Sequence, residues 1–471
     1  MGVRPNNDRA IAPSENRLGH CVIGLTVALL AACGEAPSEQ SLPTTPAAAV
    51  VIHCGTLIDG IADKPIANQL ILVDQGRISS VVSADQTGTK VDLSQVGRSE
   101  EVAYIDLSDS TCLPGLINTH VHFDGNPEDS IDYSIYTRRT PAENLALVLA
   151  NAKTTLLTGF TTVRHVGAWF PNAVYQARDQ IRAGQAMGPR ILTAGPYLTI
   201  PGGGGDLTFP EVPADQIPSE SQFGIASTPQ QFAERAEAAI IEGADFLKVI
   251  ASGAVFSIGT DPGAPEMSRE DIAAVVRVAK QYDKQVTAHV HSDQSGRDAI
   301  LAGVDSLEHA SLLEDATIAL AHQRGVAFSM DIYNGTYTDT IGRAQGYPEI
   351  FLRRNTQTTE AQRAVFRKAY AAGVTLLYGT DAAVLPHTMG GWQFATMIEH
   401  GMTPMEAIRS ATSVAADHLR INTDVGAVIP GRQADIIAVK TDPLTDPLPL
   451  RDVDVVIQAG IVVKQAPHVE S

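Results

Sequence analysis

Two hydrophobic patterns divide the chain. Short apolar runs, rich in β-branched residues and bounded by turn residues, lie near both ends, for example "VVIHCGTLIDG" and "QLILVDQGRISSVV" early on and "VGAVIPGRQADIIAV" late. Between them, apolar runs of strand length alternate with longer Ala-rich segments of helical period. The pattern predicts that residues 49–112 and 422–471 combine into one small β-sandwich beside a larger α/β domain.

Eight strand candidates can be counted in the central pattern, over residues 113–421. They are "GLINTHVH", "FTTVRHV", "RILTAG", "FLKVIAS", "QVTAHVH", "SLEHAS", "AFSMD" and "TLLYGTD". Alternating strands and helices are typical of a parallel sheet, and eight such units are typical of a closed barrel. The sequence therefore predicts an α/β fold, a (β/α)8 TIM barrel with the β-sandwich attached.

The first residues indicate export. Arg4, Arg9 and Arg17 precede "CVIGLTVALLAA", an apolar run too short to span a bilayer comfortably, which predicts a signal peptide over residues 1–33. Its end, "LAAC", resembles the bacterial lipobox, so Cys33 is the predicted lipidation site; ordinary cleavage nearby is the alternative. Residues 34–48 read as a flexible tether. We expect a protein on the periplasmic side of a bacterial membrane, with outer-membrane anchoring favoured.

Charge and cysteine content narrow the partners. The 471 residues carry a formal charge of −19 with no basic run, which argues against nucleic acid as a partner. The protein is expected to contact a membrane only through the lipid predicted on Cys33. Cys54 and Cys112 remain after removal of the signal and lipidation of Cys33. They can form a disulfide in an exported protein or stay as two free thiols. The sequence also leaves open whether the chain forms a homo-oligomer.

Polar residues stand where the predicted barrel strands end. His120 and His122 close the first strand two residues apart, so both imidazoles point to one face, and imidazole is a common metal ligand. Barrel enzymes build their sites from the carboxyl ends of their strands, so later polar residues converge on the same rim. Those residues are Lys248 in the fourth strand, His289 and His291 in the fifth, His309 in the sixth and Asp381 after the eighth.

Lys248 is the most informative of these residues. A buried amine is costly to keep charged, and in neutral form it can add CO2 to give a carbamate that bridges two cations. A lysine whose stem follows the strand while its head reaches solvent is the alternative. His289 and His309 taken singly could be core histidines, and Asp381 could cap a helix. Their joint placement favours a metal site.

Substrate contacts are expected around the same rim. A free substrate carboxylate requires a cation or a hydroxyl donor, and five residues are candidates by position. They are His291, His165, Arg164, Tyr333 and His387. His165 and His387 could equally be polar loop residues without a direct role, and His291 could support the site from behind.

In this order, the histidine pair, the strand-four lysine, the two later histidines and the last aspartate resemble the metal-dependent amidohydrolase superfamily. The likeness runs from about residue 50 to 465 through landmarks such as "LPGLINTHVHFDG", "FLKVIASGAVFS", "VTAHVHS" and "YGTDA". It is strongest to the imidazolonepropionase-like and prolidase-like branch. The resemblance implies that His120 and His122 bind an inner metal, His289 and His309 an outer one, carboxylated Lys248 bridges both, and Asp381 is ligand and acid/base.

The resemblance also implies a reaction. Two divalent cations, zinc fitting best, share a water and lower its pKa, and Asp381 passes the proton to the leaving nitrogen of an amide. The expected substrates are dipeptides or N-acyl amino acids, including ochratoxin-type amides. Phosphotriester, lactone or cyclic-amide hydrolysis is the alternative. A mononuclear deaminase usually has glutamate where this chain has Ser292. One departure is His165, where the family often has aspartate.

Overall fold

The structure, a computed structural model, describes residues 49–84, 102–208, 212–257 and 259–465. The predicted signal peptide, the tether and Cys33 lie outside these residues, so the predictions made for them stay predictions. Within the described residues, no helix combines the length and the apolar character that crossing a membrane requires.

Strands supply the frame of the molecule. In the described residues they are β1 (Ala49–Leu57), β2 (Ile66–Asp74), β3 (Arg77–Ser83), β4 (Val102–Pro114), β5 (Leu116–Val121), β6 (Phe160–His165), β7 (Arg190–Thr193), β8 (Tyr197–Leu198), β9 (Leu247–Ile250), β10 (Val286–Val290), β11 (Ser306–His309), β12 (Ala327–Met330), β13 (Leu376–Tyr378), β14 (Ile436–Val439), β15 (Val455–Gln458) and β16 (Ile461–Gln465).

Helices lie between the barrel strands and after the last of them. They are α1 (Ile135–Arg138), α2 (Pro141–Leu157), α3 (Pro171–Arg182), α4 (Pro229–Glu242), α5 (Arg269–Gln281), α6 (Asp293–Ala302), α7 (Asp315–Arg324), α8 (Asn334–Tyr337), α9 (Arg343–Gln345), α10 (Glu349–Ala371), α11 (Gln393–Glu399), α12 (Pro404–Ser410) and α13 (Ser413–His418). Helix α2 shows a typical start, because Thr140 accepts the Glu143 N–H and Pro141 needs no partner at the first turn.

Both chain ends contribute to one small sheet. Its seven strands run in the order β16-β15-β14-β4-β1-β2-β3, so the predicted joining of the two ends is confirmed, within a single continuous sheet. Alternation along β14 explains how it meets the barrel. Ile436 packs in the core of the sheet, whereas Ile437 packs in the core of the barrel.

A disulfide settles the alternative left open for the cysteines. Cys54 in β1 and Cys112 in β4 are bonded to each other, and both are fully buried in the core of the small sheet. The two strands run parallel and pair directly, with a register shift just after Cys54. The bridge therefore joins two strands that are separated in sequence but adjacent in the sheet.

Parallel strands close the barrel. One set of paired strands is β5-β6-β7, and the other runs from β8 to β13 in chain order. The short strands β7 and β8 follow each other in the chain and together take the place of the third of eight barrel strands. The His122 N–H donates to the Ala382 carbonyl at 2.8 Å, and the Asp381 N–H donates to the His120 carbonyl at 2.9 Å, which joins the last strand to the first. The predicted TIM barrel with its small second domain is confirmed.

Candidate active site

The first predicted ligand pair faces the last predicted ligand. The Nε2 atoms of His120 and His122 lie 3.3 Å and 3.4 Å from the same oxygen of Asp381, Oδ1. His120 belongs to β5 and is buried, and His122 follows that strand. The three ligand atoms lie within 4.8 Å of one another, a spacing that could hold a metal ion. The two-residue spacing has thus brought both imidazoles to one point.

A second group shares the same rim. The ring of His309, at the end of β11, lies 4.5 Å from the ring of His289 and 4.8 Å from that of His291. Ligand atoms of these three histidines lie within 4.8 Å of one another, as do those of His309, Asp331 and Asp381. His309 and Asp381 therefore connect the two groups into one centre.

Two of these residues hold an unusual backbone conformation. His309 has φ of 65° and Asp381 has φ of 54°, in the left-handed region. A residue held in that region away from glycine costs about 1–3 kcal/mol and persists only where the surrounding structure fixes it. Such strain concentrates at functional sites, and here it turns two predicted ligands toward the centre.

Lys248 lies in the same cavity. Its side chain in β9 is 1% exposed, and burial lowers the pKa of its amine to about 8. An amine with that pKa is partly neutral near pH 8 and can react as a nucleophile. The placement fits a lysine able to form a carbamate.

Two buried carboxylates contact the Nδ1 atoms of His309 and His120. Asp331 Oδ1 lies 2.9 Å from Nδ1 of His309 and accepts a 2.7 Å hydrogen bond from Gln362. Glu308 Oε2 lies 2.8 Å from Nδ1 of His120. A carboxylate behind a histidine fixes which nitrogen is free for a metal, here Nε2 in both cases. The sequence reasoning missed Glu308 and Asp331, although each stands in or just after a buried strand, as the ligands do.

The charges around the centre shift the ionisation of its histidines. Burial alone would lower the pKa of His120. The charges of Asp381 and Glu308 raise this pKa by more than burial lowers it, so the pKa lies above its usual range. Burial lowers the pKa of His122 to about 3 and holds that of His289 well below its usual range. Neutral imidazole is the form that binds metals.

Two of the five predicted substrate residues lie beside the centre. His291 lines the cavity and contacts the Ser311 hydroxyl through Nδ1 at 2.8 Å. His165 lies behind His122, with ring centroids 5.7 Å apart, and its Nε2 accepts the Phe123 N–H at 2.9 Å. His165 is fully buried and lies outside the cavity lining, so it supports the site from behind.

The other three predicted substrate residues are engaged elsewhere. Arg164 lies inside the barrel, 3% exposed, where its guanidinium binds Glu308 at 2.5 Å and the Thr119 carbonyl at 2.7 Å. His387 donates to the Gly125 carbonyl at 3.2 Å, and the ring of Tyr333 packs near Trp392. None of the three lines the cavity. For Arg164 in β6, strand alternation could not distinguish the mouth from the interior, because both faces of a barrel strand are buried. Tyr333 and His387 lie outside the strands.

Aromatic side chains form one wall of the cavity. Tyr136 and Trp169 have ring centroids 4.6 Å apart, Trp169 and Tyr197 lie 5.6 Å apart, and the Tyr197 hydroxyl is 2.9 Å from Nδ1 of His122. Tyr133 and Phe256 line the same cavity. Most of these residues come from loops after the strands, and no periodic pattern marked them in the sequence. The cavity thus joins a polar, metal-compatible floor to an aromatic wall.

Several known proteins are similar to this chain in sequence and in fold. Over 434 residues the chain is 27% identical to ochratoxinase of Aspergillus niger, covering 86% of this chain and 83% of the relative. A solved Xaa-Pro dipeptidase with methionine bound in its active site is 32% identical, with a TM-score of 0.80, over 88% of this chain and 100% of the other. A putative prolidase from Bifidobacterium longum is 28% identical, with a TM-score of 0.73, over 90% and 96%. Residues 111–464 match the amidohydrolase family. The chain therefore belongs to the amidohydrolase family.

Proposed function

We propose that this hydrolase cleaves amide bonds of dipeptides or N-acyl amino acids with the help of two divalent metal ions. The observation that carries the proposal is the convergence of the metal-compatible groups at the carboxyl ends of the barrel strands. Within each of three such groups the ligand atoms lie within 4.8 Å of one another, and His309 and Asp381 connect the groups. An aromatic wall beside this centre suits an apolar or aromatic substrate side chain.

The donor set fits two ions. His120 and His122 would hold the inner ion, His289 and His309 the outer one, and Lys248 as a carbamate would bridge them. Zinc suits a set rich in imidazole with carboxylate bridging. Such ions supply Lewis-acid polarisation of a carbonyl and an activated water when bound. Asp331 and Glu308 support the fit, because they leave Nε2 of His309 and His120 free.

The chain's own residues supply the proton transfer. Asp381 contacts His120 and His122 through Oδ1, and its Oδ2 accepts a 3.3 Å hydrogen bond from Asn334. The charges of the neighbouring histidines hold the pKa of Asp381 well below its usual range against the effect of burial, so it is a carboxylate at neutral pH. We assign it the role of taking a proton and passing it to the leaving nitrogen.

Relatives support the substrate class. The Xaa-Pro dipeptidase at 32% identity and ochratoxinase at 27% identity have names that describe action on a dipeptide and on ochratoxin. Hydrolysis of phosphotriesters, lactones or cyclic amides uses the same ligands and is the second candidate. The predicted export and lipidation at Cys33 stay part of the proposal; the disulfide between Cys54 and Cys112 supports an oxidising compartment.

The test is metal analysis and a dipeptide assay on the wild type and on Lys248→Ala. The wild type should hold about two metal ions per chain and hydrolyse dipeptides. The variant should lose metal and more than about a hundredfold of kcat/KM, since losing even a residue that only supports a ligand costs about 10–100-fold. Lys280→Ala, a change on the exposed face of α5, is the matched control and should behave as the wild type.

Other outcomes would contradict the proposal in identifiable ways. One metal ion in both proteins, with dipeptide hydrolysis retained, would exclude the bridging lysine. One metal ion without dipeptide hydrolysis would favour a mononuclear deaminase. Turnover of phosphotriesters or lactones without any amide turnover would favour the second candidate.

A further inference from the structure

Asp124 is a buried acid that the metal centre does not use. It follows His122 by two residues, is 2% exposed, and lines the cavity. Its Oδ2 has no hydrogen-bond partner in the described part of the chain. Its Oδ1 lies 3.5 Å from Nε2 of His165, longer than a normal hydrogen bond, and that nitrogen already accepts the Phe123 N–H. One oxygen of this carboxylate, Oδ2, is therefore buried without a donor, which is costly, so the position points to a missing partner.

The neighbouring cation does not supply that partner. The Arg139 guanidinium pairs with the Asp129 carboxylate and donates to the backbone carbonyl of Asp124 at 3.3 Å, leaving the Asp124 carboxylate aside. Among the described residues that line the cavity, Lys248 is the one basic side chain besides the histidines. It is assigned to the metal centre, so no lysine or arginine of the described cavity lining is left for Asp124 Oδ2.

Aromatic rings surround the same part of the cavity. Tyr136, Trp169 and Tyr197 line the cavity together with Asp124. The charge of Asp124 acts on Tyr136 and Tyr197, raising the pKa of both hydroxyls in addition to the effect of burial. A carboxylate beside aromatic faces is a setting that favours a cation, through charge pairing and cation–π attraction.

We propose that Asp124, with the rings of Tyr136, Trp169 and Tyr197, binds the protonated α-amine of the substrate. The enzyme then prefers dipeptides and amino-acid amides with a free amino terminus over N-acyl amino acids. This inference rests on the proposed amide hydrolysis and narrows its substrate class.

Substrate geometry supports the assignment. In an aminoacyl substrate the α-amine is two bonds from the scissile carbonyl carbon, so its binding group must lie beside the metal ligands. Asp124 meets this need, because it lies two residues after His122 in the loop after β5 and lines the same cavity. An ammonium so close to metal cations is repelled by them, and a carboxylate at this position offsets the repulsion. An N-acyl group gains nothing from the carboxylate and leaves it without a partner.

The experiment compares two substrates that differ only in the amine. Ala-Phe and propionyl-Phe share every other atom group, the α-ammonium of the first being a hydrogen in the second. The metal-loaded wild type should favour Ala-Phe by roughly tenfold or more in kcat/KM, the range that a charge-assisted hydrogen bond supplies. In Asp124→Asn this preference should fall toward one. Asp435→Asn, a buried acid 4% exposed that pairs with Arg190 away from the cavity, is the matched control and should keep the preference.

Each result has a distinct meaning. Equal turnover of both substrates by the wild type, or a preference for propionyl-Phe, would overturn the inference without any variant. A preference that persists in a folded Asp124→Asn would also overturn it, because the carboxylate would then not bind the amine. Failure to cleave either substrate, while esters or phosphotriesters are turned over, would instead contradict the proposed function. If Asp124→Asn does not fold, the wild-type ratio and Asp124→Glu decide.

Discussion

At the carboxyl ends of the barrel strands, ionisable side chains are buried against one another, whereas the core of the small sheet holds aliphatic side chains and one disulfide. Lys248, Glu308 and Arg164 are each at most 3% exposed. The core of the sheet is built from residues such as Ile52, Ile71 and Ile436. Each buried charge needs an oppositely charged or hydrogen-bonding partner, whereas a buried aliphatic group stabilises the fold without such a partner.

This difference separates the two tasks of the molecule. The centre of the barrel is a network in which each buried charge depends on the next, from Arg164 to Glu308 to His120 and from Asp331 to His309. The sheet depends on packing and on the bridge between Cys54 and Cys112. We therefore expect changes in the barrel network to affect stability and metal binding together, and changes in the sheet to affect stability alone.

The largest effect on stability is expected from breaking the buried ion pair. Arg164→Met leaves the Glu308 charge inside the barrel without its partner, which should lower the free energy of unfolding by about 3–5 kcal/mol. Adding Glu308→Gln removes that charge and should restore part of the loss. Urea denaturation of chelator-treated protein measures both. The exposed pair Lys368–Asp315 is the control, and Lys368→Met should cost at most about 1 kcal/mol. Equal losses for the two single variants would contradict the comparison.

A smaller loss of stability is expected from removing the disulfide. Cys54→Ala/Cys112→Ala opens a loop closed over a sequence separation of 58 and should lower the free energy of unfolding by about 2–4 kcal/mol. Activity should be retained, because the bridge lies in the small sheet. Unfolding measured with and without a reductant supplies the control: reductant should destabilise the wild type and leave the variant as it was. In wild-type protein without residues 1–33, which contain the other two cysteines, two titratable thiols after unfolding without reductant would refute the bridge.

The same contrast explains what could be predicted from the sequence. Period-two and helical patterns identified the barrel and the joining of both ends, because they depend on burial along each strand. The spacing of His120 and His122 placed both rings, since a strand fixes the direction of alternate side chains. Arg164, predicted as a substrate contact, pairs with Glu308 inside the barrel, because position at a strand end does not tell whether a side chain points to the mouth or into the barrel.

The aromatic wall was beyond the same reasoning. Tyr136 in α1, Trp169 after β6 and Tyr197 in β8 meet only through the packing of separate segments, and no local pattern encodes that meeting. Asp331 is different, since the rule that identified the ligands applied to it. It directly follows β12, as His122 follows β5, and the rule required only that every polar strand end be considered.

The smallest predicted effect concerns Asp331 and tests whether the barrel network couples to metal binding. Asp331→Asn keeps the size of the side chain but weakens its hold on Nδ1 of His309, which should lower the affinity for one of two metal ions by about 10–100-fold. Metal retention against increasing chelator would then show one ion lost early, and added zinc should restore activity. Ser311→Ala, which touches His291 rather than His309, is the control for metal retention. Loss of activity that added metal does not restore would contradict a role of Asp331 in metal affinity, and the contact between Asp331 and His309 would then not couple the barrel network to metal binding.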